Sequence, residues 1–425
     1  IKMAPDAICR VEVEIPETEP LAWLYAQQHS KRIYFSDREM QHIIAGIGHC
    51  DVCSADQVDG LKKIQQHIRN RFTHSALRYI GGIRFPSSGR SGDWKGFEPV
   101  CFVIPRLEVI KRPAGCHMAF NFQAGEDFRL LFRQVLQQIN PSRKQIPEAD
   151  LLSHSREEIP TQGEWARQVA DIRRAIQAGE YHKLVLARQV RHQLANPVDP
   201  IPLLSKLQQH LSNRYFFLFQ FERETAFLGA SMERLYRRDG REIQSEAIAG
   251  TIERGTDPES DRMKREQLLG SAKDIKEQAF VIDFIRERLI DFCSERRMSD
   301  IRILKLKESF HLKTRFNGRL KESVDDAQLV DALHPTPAVG GIPWPDVQAH
   351  ISRYEAFDRG WYAGPVGWRS PRGAELAVAI RSALVHEGAM HSYAGAGIVP
   401  GSVPASEWQE IDRKERPFAQ LRERP

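Results

Sequence analysis

The sequence predicts an α+β fold with a mostly antiparallel sheet and flanking helices. Apolar runs typical of strands, such as "YFFLFQF", "AFLGAS" and "WYAGPVGW", are often joined directly by turns. A long helical stretch, about Asp261 to Ser294, divides these runs into two groups. A doubly wound fold would instead alternate each strand with a helix. The chain has 425 residues, of which 41% are apolar, enough for a sizeable core.

The first part of the chain is predicted to be rich in strands. Apolar runs such as "ALRYIGGIRF" and "VCFVIPRLEVI" alternate with turn-rich stretches, and "DFRLLFRQVLQQI" has helical spacing. The segment from about 140 to 163 is polar and interrupted by proline, which predicts a connection crossing the surface. We therefore divide the chain into an N-terminal β-rich region of the same fold, residues 1–160, and a second region, residues 161–425.

The second region opens with a clear helix and ends with a strand, a turn and a helix. Trp165, Val169, Ile172 and Ile176 repeat at helical spacing, and the strand "HKLVLARQV" follows. Near the end, "YAGAGIVPGSVPASEWQEIDRK" predicts a strand, a glycine-rich turn and a helix that begins near Pro404.

Composition and charge exclude several classes of function. Lys plus Arg number 61 and Asp plus Glu 56, a net charge of +5 without long basic runs, so nucleic-acid binding is not expected. No apolar run has the roughly 20 residues of a membrane span, so we expect no membrane partner and a cytoplasmic location. The six cysteines are scattered and are expected to be free thiols.

Two residues at strand ends could exchange protons with a substrate. Lys183 begins a strand that is apolar on both faces, where burial would lower the pKa of its amine; alternatively, the amine extends to solvent. Glu233 follows a run of small residues at a strand end, where its carboxyl could stay protonated; alternatively, it forms a salt bridge with an arginine such as Arg234. Gly250 and Thr251 offer N–H and hydroxyl groups to an anion.

Two pairs of acids lie on helix faces. Asp274 and Glu277 are three residues apart, as are Glu407 and Glu410, so each pair shares a face. Mg²⁺ prefers oxygen ligands and often needs only one or two protein carboxylates, so the two faces could form a Mg²⁺ site. The alternative for the second pair is a solvated face on which Glu410 pairs with Lys414.

Arg381 is predicted to lie inside an otherwise apolar strand, "AVAIRSALV". A buried guanidinium is costly unless it meets an anion. The anion is either a protein carboxylate or a substrate carboxylate.

Ten segments together resemble the chorismate-utilising enzymes, most closely the isochorismate synthases of the menaquinone branch. They occur in the family's order from about residue 180 to 414: "YHKLVLAR", "FLGASMERL", "SEAIAGT", "SAKDIKEQ", "HLKTRF", "HPTPAVGGIP", "RGWYAGPVGW", "AIRSA", "YAGAGIVPGS" and "EWQEIDRK". The resemblance implies large, mostly antiparallel sheets packed together, with helices outside and a cleft that binds chorismate and Mg²⁺. Residues 161–425 would then be the catalytic region.

The resemblance also implies roles for individual residues. Lys183 is similar to the base that activates water, and Glu233 to the acid that protonates the departing hydroxyl. Glu277 and Glu410 are similar to the Mg²⁺ ligands, with Asp274 and Glu407 beside them through water. The remaining matches are the substrate contacts Gly250, His311, Thr336, Tyr362, Arg381, Gly395 and Lys414, of which His311 would be a neighbour of the ring or the metal.

One departure and several alternatives accompany the resemblance. The family usually has proline before the catalytic glutamate, whereas this chain has Met232. The ammonia users of the family lack the lysine that Lys183 matches, and one group of them carries a nucleophilic lysine where this chain has Ala249. Water is therefore the expected nucleophile. Salicylate synthases, siderophore-pathway isochorismate synthases and, in another class, a non-catalytic chorismate-binding subunit remain alternatives. We expect a monomer or weak homodimer.

Overall fold

The computed structural model describes residues 7–27, 29–57, 60–71, 74, 76–86, 92–139, 145–149, 151 and 153–422. Within these ranges the chain is an α+β protein whose strand pairs are all antiparallel, so the predicted fold class is confirmed. No helix of these ranges is long and apolar enough to cross a membrane.

The strands occur along the whole chain. The first ten are β1 (Ile8–Ile15), β2 (Arg32–Ser36), β3 (Ile43–Ala55), β4 (Tyr79–Ile83), β5 (Val100–Arg112), β6 (Gly115–Gln123), β7 (Ser153–Ile159), β8 (Lys183–Leu194), β9 (Tyr215–Glu222) and β10 (Thr225–Ser231). The others are β11 (Arg234–Asp239), β12 (Glu242–Glu253), β13 (Cys293–Met298), β14 (Arg302–Lys305), β15 (Ser309–Leu320), β16 (Gly341–Ile342), β17 (Pro365–Arg369), β18 (Gly373–Val378), β19 (Ser382–His386) and β20 (Ala389–Ile398).

The helices lie between groups of strands. They are α1 (Pro20–Ala26), α2 (Leu61–Arg71), α3 (Phe128–Gln138), α4 (Gln162–Gln177), α5 (Pro200–His210), α6 (Pro258–Leu269), α7 (Ala272–Ile290), α8 (Asp326–Leu333), α9 (Trp344–Tyr354) and α10 (Pro404–Ala419). Local sequence explains several of their ends. At α4, for example, Thr161 and Glu164 form a capping box, in which each side chain bonds the other residue's backbone N–H.

The sheet has two branches that meet at β5. One edge of β5 pairs with β3, and the other pairs with β4 near its start and with β6 near its end. The first branch continues from β3 through β2, β9, β10, β19, β20 and β8. The second continues from β4 through β17, β18, β11, β12 and β15. Backbone pairs therefore cross residue 160, and the division there stays a prediction.

The alternation in "YFFLFQF" shows why the first branch is covered on both faces. Phe217 and Phe219 of β9 belong to the main core, where Phe219 lies against Trp361 with ring centroids 5.5 Å apart. Phe216 and Leu218 point the other way, into a second core that contains residues of α1 and α5. Successive side chains of a strand point to opposite faces, so both faces of β9 are buried.

Three sequence-based expectations differ from the structure. The predicted surface connection contains β7, which pairs with β8; residues 140–144, 150 and 152 lie outside the described ranges. The long helix is two helices, because Gly270 caps the end of α6 and the Ser271 side chain caps the start of α7. The predicted strand around Arg381 is also divided, since Arg381 has a φ of 53° and separates β18 from β19.

Candidate active site

The predicted site residues converge on one pocket between α7, α10 and the ends of several strands. Ten of them line it: Glu233, Gly250, Asp274, Glu277, His311, Tyr362, Arg381, Gly395, Glu410 and Lys414. The other three, Lys183, Thr336 and Glu407, each bond to a residue of the pocket wall. Residues far apart in sequence are therefore brought together as predicted.

Lys183 is held inside the protein at the start of β8. Its side chain is fully buried, and its Nζ donates to Oε1 of Glu277 at 2.8 Å. The alternative that the amine extends to solvent is therefore wrong. Gly397 makes room for this lysine, because a Cβ at that position would lie 2.6 Å from Cε of Lys183.

Glu233 is buried where β10 ends, and its carboxyl has a hydroxyl partner. Its backbone N–H donates to Oγ of Ser231 at 3.2 Å, and its carbonyl accepts from the N–H of Val378 at 3.0 Å. Oε1 accepts from Oγ1 of Thr336 at 3.3 Å. Burial raises the pKa of Glu233 to about 7, although the Thr336 bond and the charge of Lys183 act against the rise. Such a carboxyl can donate a proton near neutral pH.

Arg234 does not pair with Glu233. Its Nη1 lies 3.3 Å from Oε1 of Glu246, and its Nη2 lies 3.1 Å from Oε1 of Glu375. The salt-bridge alternative for Glu233 is thus wrong with respect to this arginine.

The two acid pairs face the pocket region from α7 and α10, and most of these acids have a lysine partner. Besides Lys183 on Glu277, Nζ of Lys414 lies 2.7 Å from Glu410, and Nζ of Lys273 lies 3.2 Å from Glu407. The predicted pair within α10 therefore exists, but it lies at the pocket instead of on a solvated face.

The negative charges of these acids lie close enough together to raise the pKa values of two of them. Burial raises the pKa of Asp274, and the charges of Glu277 and Glu410 raise it further. Burial and the charge of Glu410 likewise raise the pKa of Glu407. A cation between the two helices would relieve this repulsion.

The donor set fits a hard divalent cation. The groups facing each other across α7 and α10 are carboxylates, and no described cysteine lines the pocket. Among the described residues, no three His, Cys, Asp or Glu side chains are grouped closely enough to hold a metal alone. A metal bound here would therefore have one or two direct protein ligands, with other oxygens coming from substrate and water.

Arg381 supplies positive charge to the same pocket. Within the described part of the chain, no carboxylate lies within ion-pair distance of its guanidinium. Burial lowers the pKa of Arg381 to about 10, and the charge of Arg214 contributes to this shift. The alternative of a buried protein carboxylate partner is therefore wrong within these ranges, and the guanidinium is available for an anionic ligand.

Two glycines and a tyrosine ring also line the pocket. Lys414 donates to the carbonyl of Gly395 at 2.8 Å, and a Cβ at Gly395 would lie 3.0 Å from the hydroxyl of Tyr362. Gly250 has a φ of 68°, and a Cβ there would lie 3.0 Å from Cβ of Asp274. The glycines allow close approach where a larger residue would fill the pocket.

His311 is a buried, neutral imidazole. One ring nitrogen lies 2.9 Å from Oγ of Ser309, and the other lies 3.1 Å from both Oγ1 of Thr251 and the carbonyl of Gly250. Burial and the charges of Arg214 and Arg381 lower its pKa well below the usual value. Both nitrogens already have protein partners, which favours a lining role over metal ligation.

Two polar residues of the pocket were not predicted from the sequence. Lys273 lies beside Asp274 and bonds Glu407, and its position within "SAKDIKEQ" was the available signal. Tyr393 stacks on Tyr362 with ring centroids 5.1 Å apart. It begins the glycine-rich stretch, but its partner is 31 positions away and only the fold reveals the stack.

The fold and the pocket together define a class of chorismate enzyme. Residues 2–421 match the family described as chorismate binding enzyme, and the chain belongs to that family. Its relatives carry the activity that the sequence analysis predicts. Isochorismate synthase MenF of Pasteurella multocida is 31% identical over 404 residues, covering 93% of this chain and 88% of the relative. Isochorismate synthase MenF of Bacillus subtilis is 32% identical over 433 residues, covering 95% and 91%.

A solved structure gives the same relationship. MenF, the menaquinone-specific isochorismate synthase from Escherichia coli, superimposes with a TM-score of 0.89 at 27% identity, covering 99% of this chain and 96% of that one. The resemblance inferred from short segments therefore extends over the whole fold, including the N-terminal region.

Proposed function

We propose that the protein is an isochorismate synthase, which converts chorismate reversibly to isochorismate with Mg²⁺. The observation that carries the proposal is one pocket containing a buried carboxyl with a pKa of about 7, Glu233, close to a fully buried lysine, Lys183. The reaction adds water at one ring carbon while hydroxide leaves another, so it needs one base and one acid.

Lys183 is the proposed base and Glu233 the proposed acid. Lys183 takes a proton from the attacking water, and Glu233 gives one to the departing hydroxyl. Without substrate, Nζ of Lys183 donates to the carboxylate of Glu277 at 2.8 Å.

Glu277 and Glu410 are the proposed Mg²⁺ ligands, with Asp274 and Glu407 holding water ligands. Bound Mg²⁺ would supply positive charge for the ring carboxylate of the substrate. Lys414 lies beside Glu410 and Lys273 beside Glu407, so each lysine offsets part of the negative charge of its acid.

The remaining residues are proposed to orient chorismate, a dianion. Arg381 and Tyr362 bind a carboxylate, with Gly395 and Lys414 beside them; Gly250, Thr336 and His311 line the pocket. Arg381→Ala should therefore raise KM about 10-fold or more, since charged hydrogen bonds contribute roughly 1.5 to 3 kcal/mol. An unchanged KM would contradict this role.

The deciding experiment is incubation of the purified protein with chorismate and Mg²⁺, without glutamine or ammonia, followed by chromatography. Isochorismate as the main product, and chorismate formed in the reverse direction, are expected. Salicylate or anthranilate as the main product would identify a different member of the family. Binding of chorismate without turnover would identify a non-catalytic subunit.

Menaquinone biosynthesis is the proposed pathway, supported by the names of the similar proteins. We place the protein in the cytoplasm as a monomer or weak homodimer. A dilution series in analytical ultracentrifugation tests the last point, which a dimer stable at nanomolar concentration would contradict.

A further inference from the structure

A buried network of charges lies directly behind Glu233. Arg38, just after β2, binds Glu246 of β12 through two hydrogen bonds of 2.8 Å. The side chains of Arg38 and Glu246 are 5% and 2% exposed. Glu246 also lies 3.3 Å from Arg234 and 3.0 Å from Nζ of Lys313. A bidentate arginine pair in such a place has a fixed geometry.

This network contacts both chain neighbours of Glu233: the backbone of Met232 and the side chain of Arg234. On one side, Nη1 of Arg38 donates to the carbonyl of Met232 at 3.2 Å. On the other side, Nε of Arg234 donates to the hydroxyl of Tyr215 at 2.7 Å, and its Nη2 donates to Glu375 at 3.1 Å. The peptide unit that leads into Glu233 is thus held from behind the pocket.

Side-chain contacts do little to hold the Glu233 carboxyl in place. Among the described residues it accepts one hydrogen bond, from the Thr336 hydroxyl at 3.3 Å. Its placement therefore depends on the backbone that carries it. Met232 does not fix its own φ as a proline would, and its side chain packs only in a small cluster with Ile248 and Leu306.

We propose that Arg38 is a positioning residue: held by Glu246, it fixes the Met232 carbonyl and so places the Glu233 carboxyl against the substrate. The inference rests on the proposed function, because it assigns Glu233 the role of acid. Arg38 itself does not line the pocket. Its loss should reduce turnover and leave substrate binding nearly unchanged.

The first test compares Arg38→Met and Arg38→Lys with the wild-type protein. Lysine keeps the charge beside Glu246 but cannot reproduce the planar fork that joins the carboxylate to the Met232 carbonyl. Both variants should lower kcat by about 10- to 100-fold, the cost of a small misplacement of a reacting group. KM for chorismate should change by less than about twofold.

Arg32→Met is the matched control. Arg32 is also buried, on neighbouring β2, and it binds Asp199 through two bonds of 2.8 and 3.1 Å, but it makes no recorded contact with residues 232–234. It should lose stability without losing kcat. Melting curves of all variants separate unfolding from misplacement, and Arg38→Lys decides the outcome if Arg38→Met does not fold.

The second test fixes the backbone conformation at position 232 without Arg38. Proline at 232 fixes φ directly, and the N–H of Met232 is not recorded as a hydrogen-bond donor in the described structure. Met232→Pro in the Arg38→Lys background should recover most of the lost kcat. Met232→Ala, which removes the side chain without fixing φ, should not.

The outcomes distinguish this inference from the proposed function. A wild-type protein that makes no isochorismate would overturn the proposed function. Isochorismate formation by the wild type together with an unchanged kcat in folded Arg38→Lys would overturn the positioning role alone. Recovery by Met232→Ala as well as Met232→Pro, or by neither, would show that Arg38 does not act through the 232 backbone.

Discussion

Glu233 and Glu246 are similarly buried glutamates whose pKa values are shifted in opposite directions. They are 5% and 4% exposed. Burial favours the protonated form of both carboxyls, and it raises the pKa of Glu233 to about 7. The pKa of Glu246 is nevertheless lowered to about 2, because the hydrogen bonds and charge of Arg38 outweigh burial there. The cationic side chains that contact a buried carboxyl, and not its degree of burial, therefore decide whether its pKa is raised or lowered.

This contrast separates two regions of the molecule. The pocket around Glu233 holds a carboxyl whose pKa of about 7 lets it gain and lose a proton near neutral pH, whereas the network around Glu246 holds a carboxylate that is paired with cations. The acids of α7 and α10 lie between these extremes, since lysines neutralise them only in part.

Removing the proton-transfer groups should have the largest effect. Glu233→Gln keeps the shape of the side chain but cannot donate the proton, and Lys183→Ala removes the base. Each should lower kcat by roughly 10² to 10⁴, measured as isochorismate formation on protein with an unchanged melting curve. Near-wild-type turnover in folded Lys183→Ala would show that the base is misassigned.

Neutralising Glu246, the carboxylate that holds Arg38, should lower stability. Glu246→Gln leaves Arg38 and Lys313 without their recorded carboxylate partner, and unpaired buried charges cost about 3 to 5 kcal/mol. Urea unfolding at pH 7 should report this loss.

Two features make the Glu246 measurement specific. Glu242→Gln, at the exposed start of the same strand, should change stability by no more than about 0.5 kcal/mol. The folded-state pKa of Glu246 is depressed from 4.5 to about 2, so its contribution is present above pH 4.5 and lost as the pH falls towards 2. A Glu246 effect that is constant from pH 7 to 2 would contradict the contrast.

Glu233 should have the opposite pH dependence. Its folded-state pKa is raised from 4.5 to about 7, so its favourable contribution is present below pH 4.5 and is lost as the pH rises through 7. Without substrate, Glu233→Gln should therefore be more stable than the wild type at pH 8, by up to about 3 kcal/mol, and nearly equal to it at pH 4.5. Urea titrations that give the same difference at both pH values would reject the raised pKa.

The smallest expected effect concerns the two acids proposed as Mg²⁺ ligands. Glu277→Ala and Glu410→Ala should each weaken Mg²⁺ binding at least about 10-fold in calorimetry. Glu224→Ala, at an exposed position, is the control. Full activity of EDTA-treated protein would rule out the metal role.

Local pattern accounts for much of the fold and for the identity of the site residues. The period of two in "YFFLFQF", the spacing of Trp165 to Ile176 and the cap at Thr161 each follow from neighbours in sequence. Local pattern failed at Arg381 and at Gly270, where an interruption of two or three residues divides an apolar or helical run. A sequence period contains neither the caps at Gly270 and Ser271 nor the positive φ of Arg381.

By itself, the sequence determined the antiparallel α+β class, the family and which residues gather at the pocket. Tertiary structure alone decided the charge of each. Lys183 meets Glu277 across 94 positions and Arg38 meets Glu246 across 208. Within the described ranges the Glu233 carboxyl meets the Thr336 hydroxyl, and its nearest cation in sequence, Arg234, pairs elsewhere. The pKa of a buried group depends on partners within a few ångströms, and the folded chain brings those partners from distant parts of the sequence.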